Sequence, residues 1–270
     1  MENTVYLNGE WVPAGEAKVG ITDSAFLHGV GLFETLRSYN GCVFRLGEHL
    51  DRMEKSASEL KLPLPAERET LENAVRQVLT ENDLLNARLR LTVTRETVLA
   101  TAAPLTGYPE EFYSRGMTVV FSPYRQSAAD PLTGHKTTGF FSRLLALESA
   151  RQAHAGEAIW LNHEGHLAEG CITNLFLVKS GTLLTPPLDT PVLPGITRAA
   201  VIQLASEDGL SVEQRPLAPR ELLEADEVFL TNAIMEVMPV CRLADRDLGS
   251  GRPGPISTGL LSAYRQLAEL

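Results

Sequence analysis

The chain has 270 residues, 44% of them hydrophobic, 21% charged and 6% aromatic, enough for one large or two ordinary domains with a sizeable core. A formal net charge of −10 leaves no basic stripe and argues against a non-specific nucleic-acid binder, although a local cationic pocket for a small anion survives a negative total. Three cysteines far apart in sequence, Cys42, Cys171 and Cys241, indicate neither a disulfide framework nor a zinc site, so no metal centre is expected. The opening "MENTVYLNGEW" lacks the basic and apolar regions of a secretion signal, and no run reaches membrane-spanning length. A soluble cytoplasmic protein with neither membrane nor nucleic-acid partners is the expectation.

In chain order, "TVYLNGEWVP" and "GLFETLRSYNGCVFRL" each set Asn-Gly between β-type runs, the strongest short hairpin signal. "LGEHLDRMEKSASEL" spaces Leu46, Leu50, Met53, Ala57 and Leu60 at helical intervals, and "LENAVRQVLTEN" repeats the pattern. "ARLRLTVTRE" alternates as a strand, and "MTVVFSPY" leads into "RQSAADPLTG", whose polar, Gly/Pro-bearing composition predicts an interdomain linker. Beyond it, "SRLLALESARQAHAG" reads as a helix with a glycine stop. "EAIWLNHEGHLAEG" and "TNLFLVKSGTLLTP" read as strand pairs turning at Asn162–Gly165 and Ser180-Gly181. "GITRAAVIQLASEDG" predicts a helix, and "DEVFLTNAIMEVMPV" a buried strand running into a loop. The pattern predicts an α+β protein of two lobes, roughly 120 and 140 residues long. The smaller spans residues 1–122, the linker 123–134 and the larger lobe 135–270.

Five lysines occur. Lys18 flanks an early strand, Lys55 and Lys61 lie on or just past an amphipathic helix, and Lys179 sits in a Ser-Gly turn; all four read as solvated charges. Lys136, in "PLTGHKTTGF", lies at the expected domain junction, where pockets form. A lysine partly removed from water there can form Schiff bases. "PVLPGITRAAVIQL" opens a helix at Ile196 and Thr197 after a tight Pro-Gly turn, and a helix N-terminus suits a phosphate. Arg52, on the first long helix, can grip two phosphate oxygens. Glu169, in "HLAEGCITNLF", is an acid among apolar neighbours. Alone, each has an ordinary reading: a surface charge, a helix start, a surface arginine, an edge carboxylate. Together, a lysine, a helix-terminal phosphate site, an arginine and an acid for a pyridinium nitrogen describe pyridoxal 5′-phosphate.

The stretches "DSAFLHGVGLFETLR", "RLGEHLDRM", "HKTTGFF", "GHLAEGCITNLF", "LPGITR" and "ADEVFLTNAIMEVMPV" extend this over nearly the whole chain, in order and spacing. There the chain resembles the class IV pyridoxal-phosphate enzymes of fold type IV. These include branched-chain and D-amino-acid aminotransferases and 4-amino-4-deoxychorismate lyase. The resemblance implies a two-domain fold, with a smaller N-terminal α/β domain and a larger C-terminal mixed β/α domain, and a homodimer acting on a small amino substrate. It implies that Lys136 bears the cofactor, that Glu169 pairs with the pyridine nitrogen, and that Arg52 with the Ile196 and Thr197 amides holds the phosphate. Ala233 stands where many relatives carry a threonine on the phosphate, leaving that contact to backbone or to Asn232. Phe141 stands where many aminotransferases of the family have a tyrosine. His28, Phe33, Thr35, Arg95 and Phe141 are placed near the substrate. The residues after Arg95 hold neither arginine nor histidine for an Arg-x-His grip, which weakens the D-amino-acid branch. "TNAIMEVMPV" and Phe141 depart from the branched-chain pattern. The expected reaction is therefore the lyase, releasing pyruvate and 4-aminobenzoate in folate biosynthesis. The alternative is transamination of a branched-chain or D-amino acid with a 2-oxo acid.

Overall fold

The computed structural model describes residues 3–269 and is α+β. It divides into two compact units: the residues up to Thr106 with His135–Phe140, and Gly107–Gly134 with Phe141–Ala268. This division differs from the one expected at residues 122 and 135. Met117–Gln126 is a strand of the second unit, paired in parallel with strands far along the chain, and the expected linker 123–134 begins inside it. Parallel pairing needs a long crossover, so it leaves no local mark in the sequence.

The first unit contains β1 (Thr4–Leu7), β2 (Glu10–Pro13), α1 (Ser24–His28), β3 (Leu32–Tyr39), β4 (Cys42–Val43), α2 (Leu46–Glu59), α3 (Arg68–Thr80), β5 (Ala87–Val93) and β6 (Val98–Pro104). Asn8-Gly9 and Asn40-Gly41 all have positive φ, the conformation a two-residue hairpin turn requires, and they fold β1 onto β2 and β3 onto β4. The six strands run in the order β2-β1-β6-β5-β3-β4. One face of the sheet carries Leu32, Leu36, Leu89, Leu91 and Val93, which pack with Leu50 and Met53 of α2 and with Leu71 and Val78 of α3 in one buried cluster. Truncating one such leucine to alanine costs about 2–5 kcal/mol.

The second unit adds α4 (Glu110–Arg115), β7 (Met117–Gln126), α5 (Phe141–Gln152), β8 (Glu157–Asn162), β9 (Leu167–Gly170), β10 (Asn174–Lys179) and β11 (Thr182–Thr185). It continues with α6 (Ile196–Glu207), β12 (Val212–Gln214), α7 (Pro219–Glu224), β13 (Glu227–Asn232), β14 (Glu236–Leu243), β15 (Arg246–Asp247) and α8 (Pro255–Glu269). Its sheet runs β12-β11-β10-β13-β14-β7-β8-β9, and β9 also meets β10 through the single pair Glu169↔Asn174. Six of its strands therefore close on themselves, and Glu169 sits at the seam. The stretch read as one strand entering a loop is a hairpin: β13 and β14 pair from Asn232↔Glu236 onward. No helix among the described residues is long and apolar enough to cross a membrane.

Candidate active site

Lys136 belongs to an extended segment laid along the start of β3. Phe33 donates its N–H to the Lys136 carbonyl at 2.9 Å, Thr138 donates to the Gly31 carbonyl at 2.9 Å, and Leu32 pairs with Thr137. The Thr138 hydroxyl donates to the Gly29 carbonyl at 2.7 Å. Gly29 ends α1 at φ 68°, and a Cβ there would stand 3.2 Å from the Gly139 backbone, so close approach and left-handed backbone both ask for glycine. This backbone pairing holds the lysine in place. Its Nζ lies 4.6 Å from the centroid of the Phe33 ring, against which Phe140 packs edge-on at 5.7 Å.

A second cation shares that ring, one that motif reading passed over. The Arg90 guanidinium lies 3.8 Å from the Phe33 centroid. The register sets Thr35 opposite Arg90 and Phe33 opposite Thr92, so Phe33, Thr35, Arg88, Arg90 and Thr92 share one face of the sheet. Arg90 is half-buried and donates from Nε to Thr92 Oγ1 at 3.1 Å; it has no carboxylate partner among the described residues. Burial, then the neighbouring Arg88 charge, lowers its pKa from the ordinary arginine value. Of the residues expected near the substrate, Phe33 and Thr35 lie on this face. His28 and Arg95 are exposed, at the end of α1 and in the turn between β5 and β6.

Arg52 has different surroundings. Glu34 alternates onto the core face of β3 and is almost fully buried. It accepts from Arg52 Nε at 2.8 Å and Arg52 Nη2 at 2.5 Å, and His49 Nδ1 lies 2.8 Å from its Oε2. Burial would raise the Glu34 pKa, but the Arg52 charge and the His49 bond hold it at about 2. His49 is shifted down, first by burial, with the Arg52 and Lys136 charges adding to it against the pull of Glu34. The arginine expected on a phosphate is thus seated by a buried acid and a histidine, neither of which motif reading assigned.

In the second unit, Glu169 is buried, with both oxygens engaged. Oε1 accepts from Arg143 Nη2 at 2.6 Å and Gln126 Nε2 at 3.0 Å. Oε2 accepts from the Leu193 N–H at 2.9 Å and Asn174 Nδ2 at 3.4 Å. The same Asn174 amide donates to the Leu193 carbonyl, and a Cβ on Gly195 would fall 1.9 Å from Asn174 Oδ1. A side chain at Gly195, where α6 begins, would therefore push the Asn174 amide out of place. Neither a side chain nor backbone caps that start, so the Ile196 and Thr197 N–H groups carry no partner among the described residues. Behind the turn after β9, the wholly buried Glu157 accepts from Ile172 N–H, Thr173 Oγ1 and Ala158 N–H. Burial raises its pKa, partly offset by these bonds, and burial pushes the nearby Cys171 thiol up to about 12.

Asn232 is engaged by its own chain. Its Oδ1 accepts from the Ile234 and Met235 N–H groups at 2.8 Å each, and its Nδ2 donates to the Ile172 carbonyl. The oxygen thus shapes the turn holding Ala233, while the nitrogen ties that turn to the segment between β9 and β10. Phe141, at the start of α5, is 72% exposed.

These features fit separate parts of pyridoxal 5′-phosphate. An uncapped helix start suits its phosphate, a buried carboxylate beside an arginine its ring nitrogen, and a lysine amine its carbonyl. Residues 31–243 match the Amino-transferase class IV family. A putative branched-chain-amino-acid aminotransferase of Methanocaldococcus jannaschii is 34% identical over 277 residues, covering 97% of this chain and 96% of its own. A D-alanine aminotransferase of Bacillus licheniformis is 31% identical, covering 97% and 95%. Among solved structures, the branched-chain amino acid aminotransferase from Thermobaculum terrenum, in its PLP-bound holo form, superposes with a TM-score of 0.89 at 26% identity, covering 99% of this chain and 94% of that one. The chain belongs to the class IV aminotransferases, pyridoxal 5′-phosphate enzymes of fold type IV.

Proposed function

We propose that this protein is an amino-acid transaminase, which moves the amino group of an amino acid onto a 2-oxo acid. The observation that carries the proposal is Arg90, a half-buried guanidinium without a carboxylate partner among the described residues, on the aromatic ring that also bears the Lys136 amine. An α-carboxylate is the anion such a cation takes. Bound there, it brings the amine-bearing carbon toward Lys136. The cofactor supplies an electron sink for that carbon. Lys136 would hold the cofactor between turnovers, and its free amine would move the proton from the amine-bearing carbon of the bound substrate. Glu169 would pair with the cofactor's ring nitrogen, and the Ile196 and Thr197 N–H groups would hold its phosphate; Arg52, seated by Glu34, is the cation that the resemblance names for that phosphate.

The relatives named above are aminotransferases and favour this reading over the lyase expected from the sequence. The features that pointed to the lyase do not add to it: Asn232 serves its own turn and Phe141 is exposed. A homodimer is part of the proposal. Ile21 and Phe26 in the first unit, and Phe141 and Leu144 in the second, are large apolar side chains left exposed on one chain. The test is a half-reaction. The yellow holoprotein is mixed with leucine, valine, glutamate or D-alanine without an oxo acid, and the conversion of its cofactor to the pyridoxamine form is followed. Fast conversion by at least one donor, with the matching 2-oxo acid released, is the expected result. Release of 4-aminobenzoate from aminodeoxychorismate, with no conversion by any amino acid, overturns it.

A further inference from the structure

Glu169 is held by four donors, about as many as a carboxylate has lone-pair sites. Three are neutral amides, from Gln126 on β7, Asn174 on β10 and the Leu193 backbone. The fourth is charged. Arg143, on the first turn of α5, donates from Nη2 to Glu169 Oε1 at 2.6 Å, from Nη1 to the Gly170 carbonyl at 2.8 Å, and lies with its guanidinium 4.8 Å from the Trp160 ring centroid. The aromatic plane and the carbonyl fix the guanidinium, so its charge is aimed at one oxygen. Arg198 is the other cation that feels Glu169, but its guanidinium donates to the Pro186 carbonyl and Gln214 Oε1. The second nearby carboxylate, Glu157, is engaged by Ile172, Thr173 and Ala158.

This arrangement bears on a proton. When a buried carboxylate meets an aromatic nitrogen, the pair is either an anion beside a pyridinium or a neutral acid beside a neutral ring. Low dielectric favours the neutral pair, because burial penalises charge. A cation bonded to the carboxylate reverses that preference. It depresses the proton affinity of the oxygen it touches more than that of a nitrogen that meets the cation only through that carboxylate. Of the four donors, Asn174 is the one a ring N–H can replace, since its amide keeps the 2.9 Å bond to the Leu193 carbonyl.

We propose that Arg143 is a positioning residue that decides where this proton resides, keeping it on the ring nitrogen and off Glu169. The proposal rests on the reading of Glu169 as the partner of that nitrogen. The test uses holoprotein loaded with cofactor 15N-labelled at the ring nitrogen, whose chemical shift reports protonation directly and needs no turnover. Wild type and Arg143→Lys, which keeps the charge, are expected to show the protonated position at neutral pH. Arg143→Gln is expected to move the signal toward the unprotonated position. An Arg143→Gln signal that coincides with wild type, while Glu169→Gln moves it, refutes the role of Arg143 alone. A signal that Glu169→Gln leaves unmoved refutes the reading of Glu169 itself. Cofactor retained through gel filtration shows that each variant is folded and loaded when it is measured.

Discussion

The two faces of the first unit's sheet treat arginine in opposite ways. On the core face, Glu34 takes Arg52 through two hydrogen bonds and His49 closes the cluster, so the guanidinium is oriented by the chain itself. On the other face, Arg90 has an aromatic ring, one threonine hydroxyl and a like-charged neighbour. A buried cation costs free energy unless it is paired. The first arrangement removes that cost inside the protein and yields a fixed group. The second leaves part of it unmet by any carboxylate among the described residues, and the proposed substrate carboxylate would remove it. The carboxylate Glu169, saturated by four donors in the second unit, follows the logic of Arg52 with the charges exchanged.

Deleting the amine from the open face is the severest way to break this comparison. Lys136→Ala is expected to abolish covalent cofactor attachment and to lower turnover by about 10³-fold or more. Borohydride trapping of cofactor on another lysine in that variant would remove Lys136 from the account.

On the closed face, Glu34→Gln leaves Arg52 buried without its charge partner, at a cost of about 3–5 kcal/mol. The Glu34 pKa is depressed from 4.5 to about 2 in the folded state, a linkage of about 3 kcal/mol. A depressed carboxyl contributes stability that is fully present above about pH 4.5 and is lost as pH falls toward 2. Urea midpoints of wild type and Glu34→Gln should therefore differ most at neutral pH and converge in acid. A gap that stays constant across that range is incompatible with the ion pair.

Arg90→Met should lower kcat/KM for the amino acid by roughly 10–100-fold, the value of a lost charge-assisted contact. Cofactor retention should be unchanged, because Arg90 is not assigned to the phosphate; loss of cofactor instead would move Arg90 to the wrong side of the comparison. The smallest effect is expected at Gly195→Ala, where the new Cβ meets Asn174 Oδ1 and overpacking costs about 1–3 kcal/mol. Because Asn174 also touches Glu169, that variant should lose cofactor more readily on dialysis. Retention equal to wild type would show that the turn yields without disturbing the site.

Much of the fold was legible where its causes are local. Asn8-Gly9 and Asn40-Gly41 predict their hairpins because few other residue pairs accept two positive φ values, and the apolar spacing of Leu46, Leu50, Met53 and Ala57 predicts α2. The β13–β14 turn escaped because the positive φ falls on Glu236, where no glycine marks it. The helix Pro255–Glu269 was passed over, and the lobe boundary was misplaced because β7 pairs with strands distant in sequence. Lys136 and Glu169 were singled out through their motifs, and the structure places one along β3 and the other buried at the seam of the second sheet. Glu34 left a signal that went unused: it shares the parity of Leu32 and Leu36, so a strand reading places a carboxylate in the core and demands a cation for it. Arg90 left none of comparable strength. Its alternation with Leu89 and Leu91 predicts a polar face, and only the structure shows Lys136 brought to that same ring.

The claim that Arg90 receives the substrate carboxylate is tested most directly with a matched pair of donors. The best amino acid of the half-reaction panel is compared with the amine it would become on losing its carboxylate, in wild type and in Arg90→Met. The account predicts that the amino acid's advantage over the amine falls roughly 10–100-fold in the variant, all of it through the amino acid. Equal losses for both donors, or an advantage that survives intact, would contradict it.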